Sequence, residues 1–410
     1  MTTALISPTI ESLKDYPFER LRQLLAPIDP KPVNFTLGDM VDVSIGEPRH
    51  TPPELINIAI QKASHLWGKY PPVEGTDEFQ ESIKTYLDRH FGFDENIIKL
   101  KNMILPVSGT REGLFLAAQL AAGVKKSKGD TYALMPNPFY TVYEAASKLA
   151  GIQPYFLPTT KENDFLPNLD AIPVDILEKT VIFYICTPSN PQGKAADLLY
   201  LMKLLKLARE YRFILVSDEC YNELYNEISP VSALQAAIEL NQADDYTDCF
   251  ANLLVFHSLS KRSSAPGLRS GFVCGDPNLI APFAKLRRYG HAGMPLPLMK
   301  ASAALWLDDE HVQENRRLYQ EKFDLAEQIL GEKIDYKRPD GGFFIWLEVP
   351  DAEAITKQLW QNHKIKVLPG NYITRPDTNG HNIGNSYIRI ALVHDLKITE
   401  YVCENLKNLL

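Results

Sequence analysis

Cysteine is scarce in this 410-residue chain. Its five copies, Cys186, Cys220, Cys249, Cys274 and Cys403, are odd in number and widely spaced, and none forms a C-x-x-C pair. That pattern argues against a disulfide framework or a zinc site and favours a reducing compartment. Three of the five fall in or at the ends of apolar, β-prone runs, where cysteine acts as a small buried hydrophobe. Basic residues are in deficit: 43 Lys and Arg against 51 Asp and Glu leave a net charge of −8. A general nucleic-acid or membrane-surface binder is thereby disfavoured, while a local basic pocket is not. No apolar run approaches the ~20 residues of a membrane span. The opening M-T-T-A-L-I-S-P lacks the basic and then apolar order of a secretory signal. The expectation is a cytoplasmic protein with neither a nucleic-acid nor a membrane partner. No internal repeat or low-complexity tract is visible.

What is present is the composition of an ordinary globular protein, 45% apolar and 23% charged, in a chain long enough for two domains. Residues 1–50 are proline-rich, with short helical stretches such as 18–25, and end in S-I-G-E-P-R-H. From there, apolar β-prone runs at 103–107, 131–135, 181–186, 213–217, 253–256 and 271–274 alternate with helical patterns such as 197–211. Several runs are apolar throughout, as strands covered on both faces are. The expected fold is therefore α/β: a mostly parallel central sheet flanked by helices over residues 51–295. After about 296 a long charged helix (310–330) leads to strand patterns at 343–349 and 387–393. This reads as a smaller α+β domain of residues 296–410, against which residues 1–50 pack.

Chemistry concentrates at the ends of the runs, where parallel α/β sheets bind ligands. In S-L-S-K-R-S-S-A-P-G-L-R-S-G-F (258–272), Lys261 stands between Ser258 and Ser260, with Arg269 following a Pro-Gly turn. An amine beside hydroxyl and guanidinium donors suits Schiff-base formation with a phosphorylated aldehyde; a lysine in a serine-rich loop also suits plain solvated surface. The segment S-G-T-R-E-G (108–113) opens a helix and is either a phosphate cradle or an ordinary cap. Asn190, between prolines, is a turn residue or an amide donor to a ligand oxygen. Asp218, at a strand end, needs a partner if buried: a protonated ring nitrogen or a helix N-terminus would serve. A metal is disfavoured, since no second carboxylate or histidine has suitable spacing.

Taken together in this order, S-G-T-R-E-G, N-P-F-Y (137–140), S-N-P-Q-G, D-E-C-Y, S-L-S-K with P-G-L-R-S-G-F, D-G-G-F-F and Y-I-R-I-A resemble the fold-type I pyridoxal-phosphate (PLP) enzymes, specifically the class I/II aminotransferases, over essentially the full length. The resemblance implies roles. Lys261 carries the cofactor and then serves as base; Asp218 pairs with the ring nitrogen; Asn190 and Tyr221 bond the ring's phenolic oxygen; Tyr140 stacks on the ring. Ser108, Gly109, Thr110, Ser258, Ser260 and Arg269 hold the phosphate. Arg389 grips the substrate carboxylate, although its alternation with Ile388 and Ile390 also fits an outward-facing residue. Gly46 belongs to the segment that closes over substrate. Tyr70 reaches the phosphate of a neighbouring subunit, which implies a homodimer. Asn371, where serine is common, and Ser264-Ala265, where bulkier residues are usual, depart from the pattern.

Within the family, Y-P-P-V-E-G-T, S-G-T-R-E-G-L-F, P-N-P-F-Y-T-V-Y and S-L-S-K-R-S are most similar to succinyldiaminopimelate aminotransferases. That implies a ping-pong reaction with glutamate as donor and N-succinyl-2-amino-6-oxopimelate as acceptor. Some of Arg49, His50, Arg111 and His291 are then expected around the far end of the substrate. The alternatives are an aspartate or broad-specificity aminotransferase, a PLP-dependent C–S lyase, and a non-catalytic PLP-binding regulatory domain.

Overall fold

The structure, a computed structural model, describes residues 5–32, 40–93, 97–98, 100–125, 129–244, 249–290, 293–331, 333–334 and 336–410. The apolar runs form a seven-stranded sheet. Numbered with the short N-terminal strand β1 (Val41–Asp42), its strands are β2 (Ile104–Val107), β3 (Tyr132–Asn137), β4 (Gln153–Pro158), β5 (Thr180–Cys186), β6 (Ile214–Asp218), β7 (Leu253–Ser258) and β8 (Gly271–Gly275). Their spatial order is β2-β8-β7-β6-β5-β3-β4, and all run parallel except β8. Strand β8 is reversed because only short turns, Leu259–Arg262 and Pro266–Leu268, separate it from β7. Neither turn is the packed crossover helix that a parallel return normally uses.

Strands β2, β5, β6, β7 and β8 are buried at every position, and two separate apolar clusters pack on the sheet's faces. The helix Leu198–Tyr211 shows how sequence reaches packing. Asp197 caps it by accepting from Tyr200 N at 2.7 Å, a contribution of about 1 kcal/mol. Leu201, Leu204, Leu205 and Ala208 bury one stripe against the sheet's cluster. Strand β4 has no counterpart in the sequence reading. It lies at the sheet edge, where Pro154 and Pro158 interrupt the apolar run without breaking a central ladder.

The C-terminal part supplies β9 (Phe344–Glu348), β10 (Ile365–Lys366), β11 (Leu368–Pro369) and β12 (Tyr387–Ala391). Strands β11-β12-β9 make an antiparallel sheet, and β1 pairs with β10. Val41 and Val43 share a core with Phe323, Ile345 and Ile390. The helix Leu296–Leu307, however, packs on Leu55–Lys62 and Asp77–Phe91, on the side of the large sheet. We therefore propose a domain boundary after that helix, near Asp308, rather than at 295. Helical periodicity changes at 296, but the burial partner does not change until the chain turns into the helix Glu310–Leu330. Among the described residues no helix is long and apolar enough to cross a membrane, and no cluster of His, Cys, Asp and Glu could hold a metal ion.

Candidate active site

The carboxyl ends of the parallel strands open on a cavity of about 640 Å³ that is closed on its other sides by the N-terminal segment and by β9, β11 and β12. Its charged lining consists of Arg111, Lys261, Arg269 and Arg389 against one acid, Glu47. This places a local cationic pocket in an acidic protein, suited to anions that bring their own charge.

Lys261 sits in the turn Leu259–Arg262, whose start is capped by Ser258 Oγ accepting from Ser260 N at 3.1 Å. Its Nζ donates to the Gly46 carbonyl and lies 5.2 Å from the centre of the Phe343 ring. Loss of hydration lowers the amine's pKa to about 8. Gly46 holds this place because a Cβ there would come within 2.5 Å of the Phe344 ring.

At the end of β2, Gly109 adopts φ 78° and starts the helix Thr110–Ala121. The Arg269 guanidinium lies against Gly109, donating to Ser108 O at 3.1 Å and to Pro266 O at 2.8 Å. Thr110 Oγ1 is 3.0 Å from Cys220 Sγ, and Ser258 Oγ donates to Ser260 Oγ at 2.9 Å. The start of a helix, hydroxyls and a guanidinium thus lie together as a phosphate site requires. A Cβ on Gly109 would stand 2.2 Å from Arg269 Nη2. Gly109→Ala is accordingly expected to weaken PLP retention at least about tenfold by displacing that guanidinium, about 1.4 kcal/mol. Equilibrium dialysis of the variant checks it, and unchanged affinity would refute the cradle.

Asp218 ends β6 and is buried beneath this lining. Its Oδ2 accepts from Tyr143 OH at 2.7 Å and its Oδ1 from Cys220 N at 3.4 Å. Burial pushes its pKa up, opposed by a hydrogen bond from the Cys220 thiol and by the Tyr143 hydroxyl and Cys220 N–H donors. Among the described residues no Lys or Arg pairs with it. Tyr221 is buried, edge-on to Phe343 and Phe344. Tyr140 lines the cavity beside Tyr143; desolvation raises its pKa to about 12 even though Arg111 Nε donates to its hydroxyl at 2.7 Å.

Arg389 is 5% exposed, so its alternation on β12 does not put it at the surface; Ile388 and Ile390 are buried too, because both faces of the strand are covered. It donates to Asn190 Oδ1 at 3.0 Å and Ser44 O at 2.7 Å, lies over Phe344, and leaves its Nε buried with no hydrogen-bond partner among the described residues. Burial lowers its pKa to about 10, which keeps it cationic at neutral pH. The unfilled Nε, the uncompensated Asp218 carboxylate and the Gly109–Arg269 cradle all fit a phosphorylated, nitrogen-bearing cofactor and an anionic substrate.

The structure brings Lys261, Gly46, Thr110, Tyr140, Asn190, Tyr221, Ser258, Ser260, Arg269 and Arg389 to one cavity, with Asp218 under it and Ser108 contributing its carbonyl. Tyr70 is 99% exposed and outside the cavity. Of the residues expected at the far end, only Arg111 lines it. Arg49 is exposed, His50 turns toward Asn315, and His291 lies outside the described residues. Tyr143 and Tyr16 were missed. Tyr143 lies on the buried face of its helix three residues after Tyr140, a readable spacing, whereas no local pattern marks Tyr16, whose hydroxyl accepts from Arg111 Nη2 at 3.1 Å.

Comparison with known proteins agrees with this arrangement. Residues 38–406 match the family described as aminotransferase class I and II. An LL-diaminopimelate aminotransferase of Dehalococcoides mccartyi is 30% identical over 398 residues, covering 94% of each chain. Among solved structures, an aminotransferase from Neisseria meningitidis superposes with a TM-score of 0.91 at 37% identity, covering 98% of this chain and 100% of that one. The aminotransferase AspB from Helicobacter pylori does so with 0.87 at 34% identity, over 97% and 99%.

Proposed function

Because the chain belongs to the class I and II aminotransferases, a PLP-dependent family, we propose that it transaminates a long amino acid of the diaminopimelate class, in the N-succinylated form, with glutamate as donor. The observation that carries this reading is one cavity holding a lysine amine lowered to about 8 and, besides Arg269 at the phosphate cradle, the guanidinium groups of Arg389 and Arg111. PLP, when bound, supplies an aldehyde that condenses with amines and a ring that accepts the electron pair left on the substrate carbon.

The chain's own residues do the rest. Arg389 offers its planar fork to the α-carboxylate, and Asn190 fixes the plane of that fork. The buried Phe344 ring beneath it keeps water from the carboxylate's far side. Lys261 is positioned to take the proton from the substrate α-carbon: at a pKa near 8 about one amine in ten is neutral at pH 7, against about one in three thousand at an ordinary lysine pKa. Asp218 stays ionised when a cationic nitrogen faces it. Arg111, held by Tyr140 and by Tyr16 of the N-terminal segment, serves the distal carboxylate and couples its binding to that segment. The fully exposed Tyr70, near the exposed Trp67, fits a second copy completing the site in a cytoplasmic homodimer.

The relatives' names favour a second reading, the unacylated LL-diaminopimelate as substrate. Visible spectra of the holoenzyme separate them. Conversion of the bound cofactor to its amine form by N-succinyl-LL-diaminopimelate, at concentrations where LL-diaminopimelate and aspartate do little, is the expected result. Better conversion by LL-diaminopimelate selects the second reading, and better conversion by aspartate removes both. Arg111→Leu is expected to raise KM for the long substrate at least about tenfold, as the loss of a charge-assisted contact does, and to leave alanine turnover nearly unchanged. Equal effects on both substrates would place Arg111 outside recognition.

A further inference from the structure

The stretch from Gly46 to His50 touches Lys261 at both of its ends. The Gly46 carbonyl takes the hydrogen bond from the amine. At the backbone end the link runs through Asn315, a buried residue of the helix Glu310–Leu330. Its Nδ2 donates to the carbonyls of Lys261 at 3.0 Å and Arg262 at 3.1 Å. Its Oδ1 accepts from Ser264 Oγ at 2.9 Å and lies 2.7 Å from His50 Nδ1.

Valence decides the orientation of this chain. Both amide protons of Asn315 are committed to carbonyls, so it offers only oxygen to the imidazole, and His50 must carry its proton on Nδ1. The lone pair on Nε2 then needs a donor, and Lys322 Nζ stands 2.6 Å away. Lys322 is 3% exposed. Among the described residues no carboxylate pairs with it, Asp395 and Glu321 acting only from longer range. A buried ammonium directed at a histidine lone pair holds His50 in one tautomer. The imidazole also rests on Tyr319 (4.5 Å between centroids), which stacks on Phe343 at 5.3 Å, the ring that faces the Lys261 amine.

We propose that His50 and Asn315, with Lys322 behind them, are positioning residues that clasp the lysine-bearing turn and couple the placement of Lys261 to the N-terminal segment. The proposal rests on the reading of Lys261 as the reactive amine. The turn Leu259–Arg262 has only four residues and few hydrogen bonds of its own, too few to define a side chain's position unaided. External bonds to two successive carbonyls supply what the turn lacks. Because Gly46 and His50 lie on one short segment, a shift of that segment alters the root and the tip of the lysine together.

Besides burial, the titratable and charged groups facing the Lys261 amine are the Cys220 thiol and Glu47, which raise its pKa, and Arg389 and Arg111, which lower it. Those facing His50 are Lys322, which lowers its pKa, and Glu314, which raises it. Neither His50 nor Asn315 is among the groups acting on the amine, so a change in the amine's proton affinity on their replacement reports displacement rather than lost charge.

The test uses holoenzyme variants Asn315→Ala, His50→Ala and His50→Gln, the last keeping one donor and one acceptor. Two readouts are followed: the pH midpoint of PLP uptake after the bound cofactor has been stripped, and kcat against KM in the reloaded enzyme. Both alanine variants are expected to move the midpoint upward about threefold or more in proton affinity, as a loosened amine gains water. They should also lose about tenfold in kcat with KM within about twofold, a positioning effect. His50→Gln should recover most of both. Unchanged midpoint and kcat in His50→Ala would overturn the clasp, as would a glutamine variant no better than alanine, which indicates packing alone. If Asn315→Ala does not fold, the His50 pair decides by itself. Absence of the visible band in the wild-type protein would instead refute the Lys261 reading, and the clasp with it.

Discussion

Lys261→Ala and Lys261→Arg are both expected to lose at least about 10²–10⁴-fold in the rate of α-proton removal, the range that a positioned general base supplies. The pair separates two explanations. Arginine keeps a cation in the cavity and can donate to Gly46 O, but it does not deprotonate in proteins. If Lys261 acts only as a positive charge, the arginine variant stays active; if it acts as a base, both variants fail alike. Stopped-flow absorbance of the bound cofactor after mixing with saturating substrate measures the step directly. Retention of a tenth or more of wild-type rate by Lys261→Arg would sink the assignment. A pH dependence accompanies it. The neutral amine is the reactive form, and its pKa is lowered from the ordinary lysine value to about 8. Uptake of PLP by cofactor-free protein should therefore speed up as pH rises and level off above about 8, rather than climbing through 10. A profile still rising steeply at pH 10 would show that the amine is not held as the structure places it.

Asp218→Asn carries the second large effect. The carboxylate is buried, and its direct donors among the described residues are the Tyr143 hydroxyl, the Cys220 thiol and the long Cys220 backbone bond, none of them a cation. Alone it is an expensive group; opposite a cationic ring nitrogen it becomes half of a buried ion pair. Removing one partner of such a pair costs about 3–5 kcal/mol, which corresponds to about 10²–10⁴ in rate if the pair matters most when negative charge enters the ring. Asparagine retains the shape and can still accept from Tyr143, so the fold should survive, and the cofactor-free variant should melt no lower than wild type because a desolvated charge has gone. A large loss of kcat with unchanged apo stability is the expected combination. Equal losses in both would make Asp218 structural. Full activity would mean that the ring needs no anion at this strand end.

The sequence on its own already carried the motif chemistry. Strands buried on both faces need unbroken apolar runs, so β5, β6 and β7 announced themselves, and the polar residues following each run marked the sheet end where ligands gather. Lys261, Asp218, Asn190 and Arg269 were legible for that reason, and their family order made the cofactor identifiable. Strand β4 was not legible, because edge strands tolerate proline and dispense with the apolar signature. The boundary expected near 296 and the one proposed near Asp308 differ because periodicity reports the helix and not the surface it packs on. Only the tertiary structure decided that Arg389 is buried with a spare donor, that Arg111 rather than Arg49 or His50 faces the cavity, and that His50, Asn315 and Lys322 meet behind Lys261. These last contacts join residues some fifty to more than two hundred and fifty positions apart. Local propensity and spacing act over a turn or two of chain, whereas burial, tautomer and charge pairing are set by whatever the completed fold brings into contact.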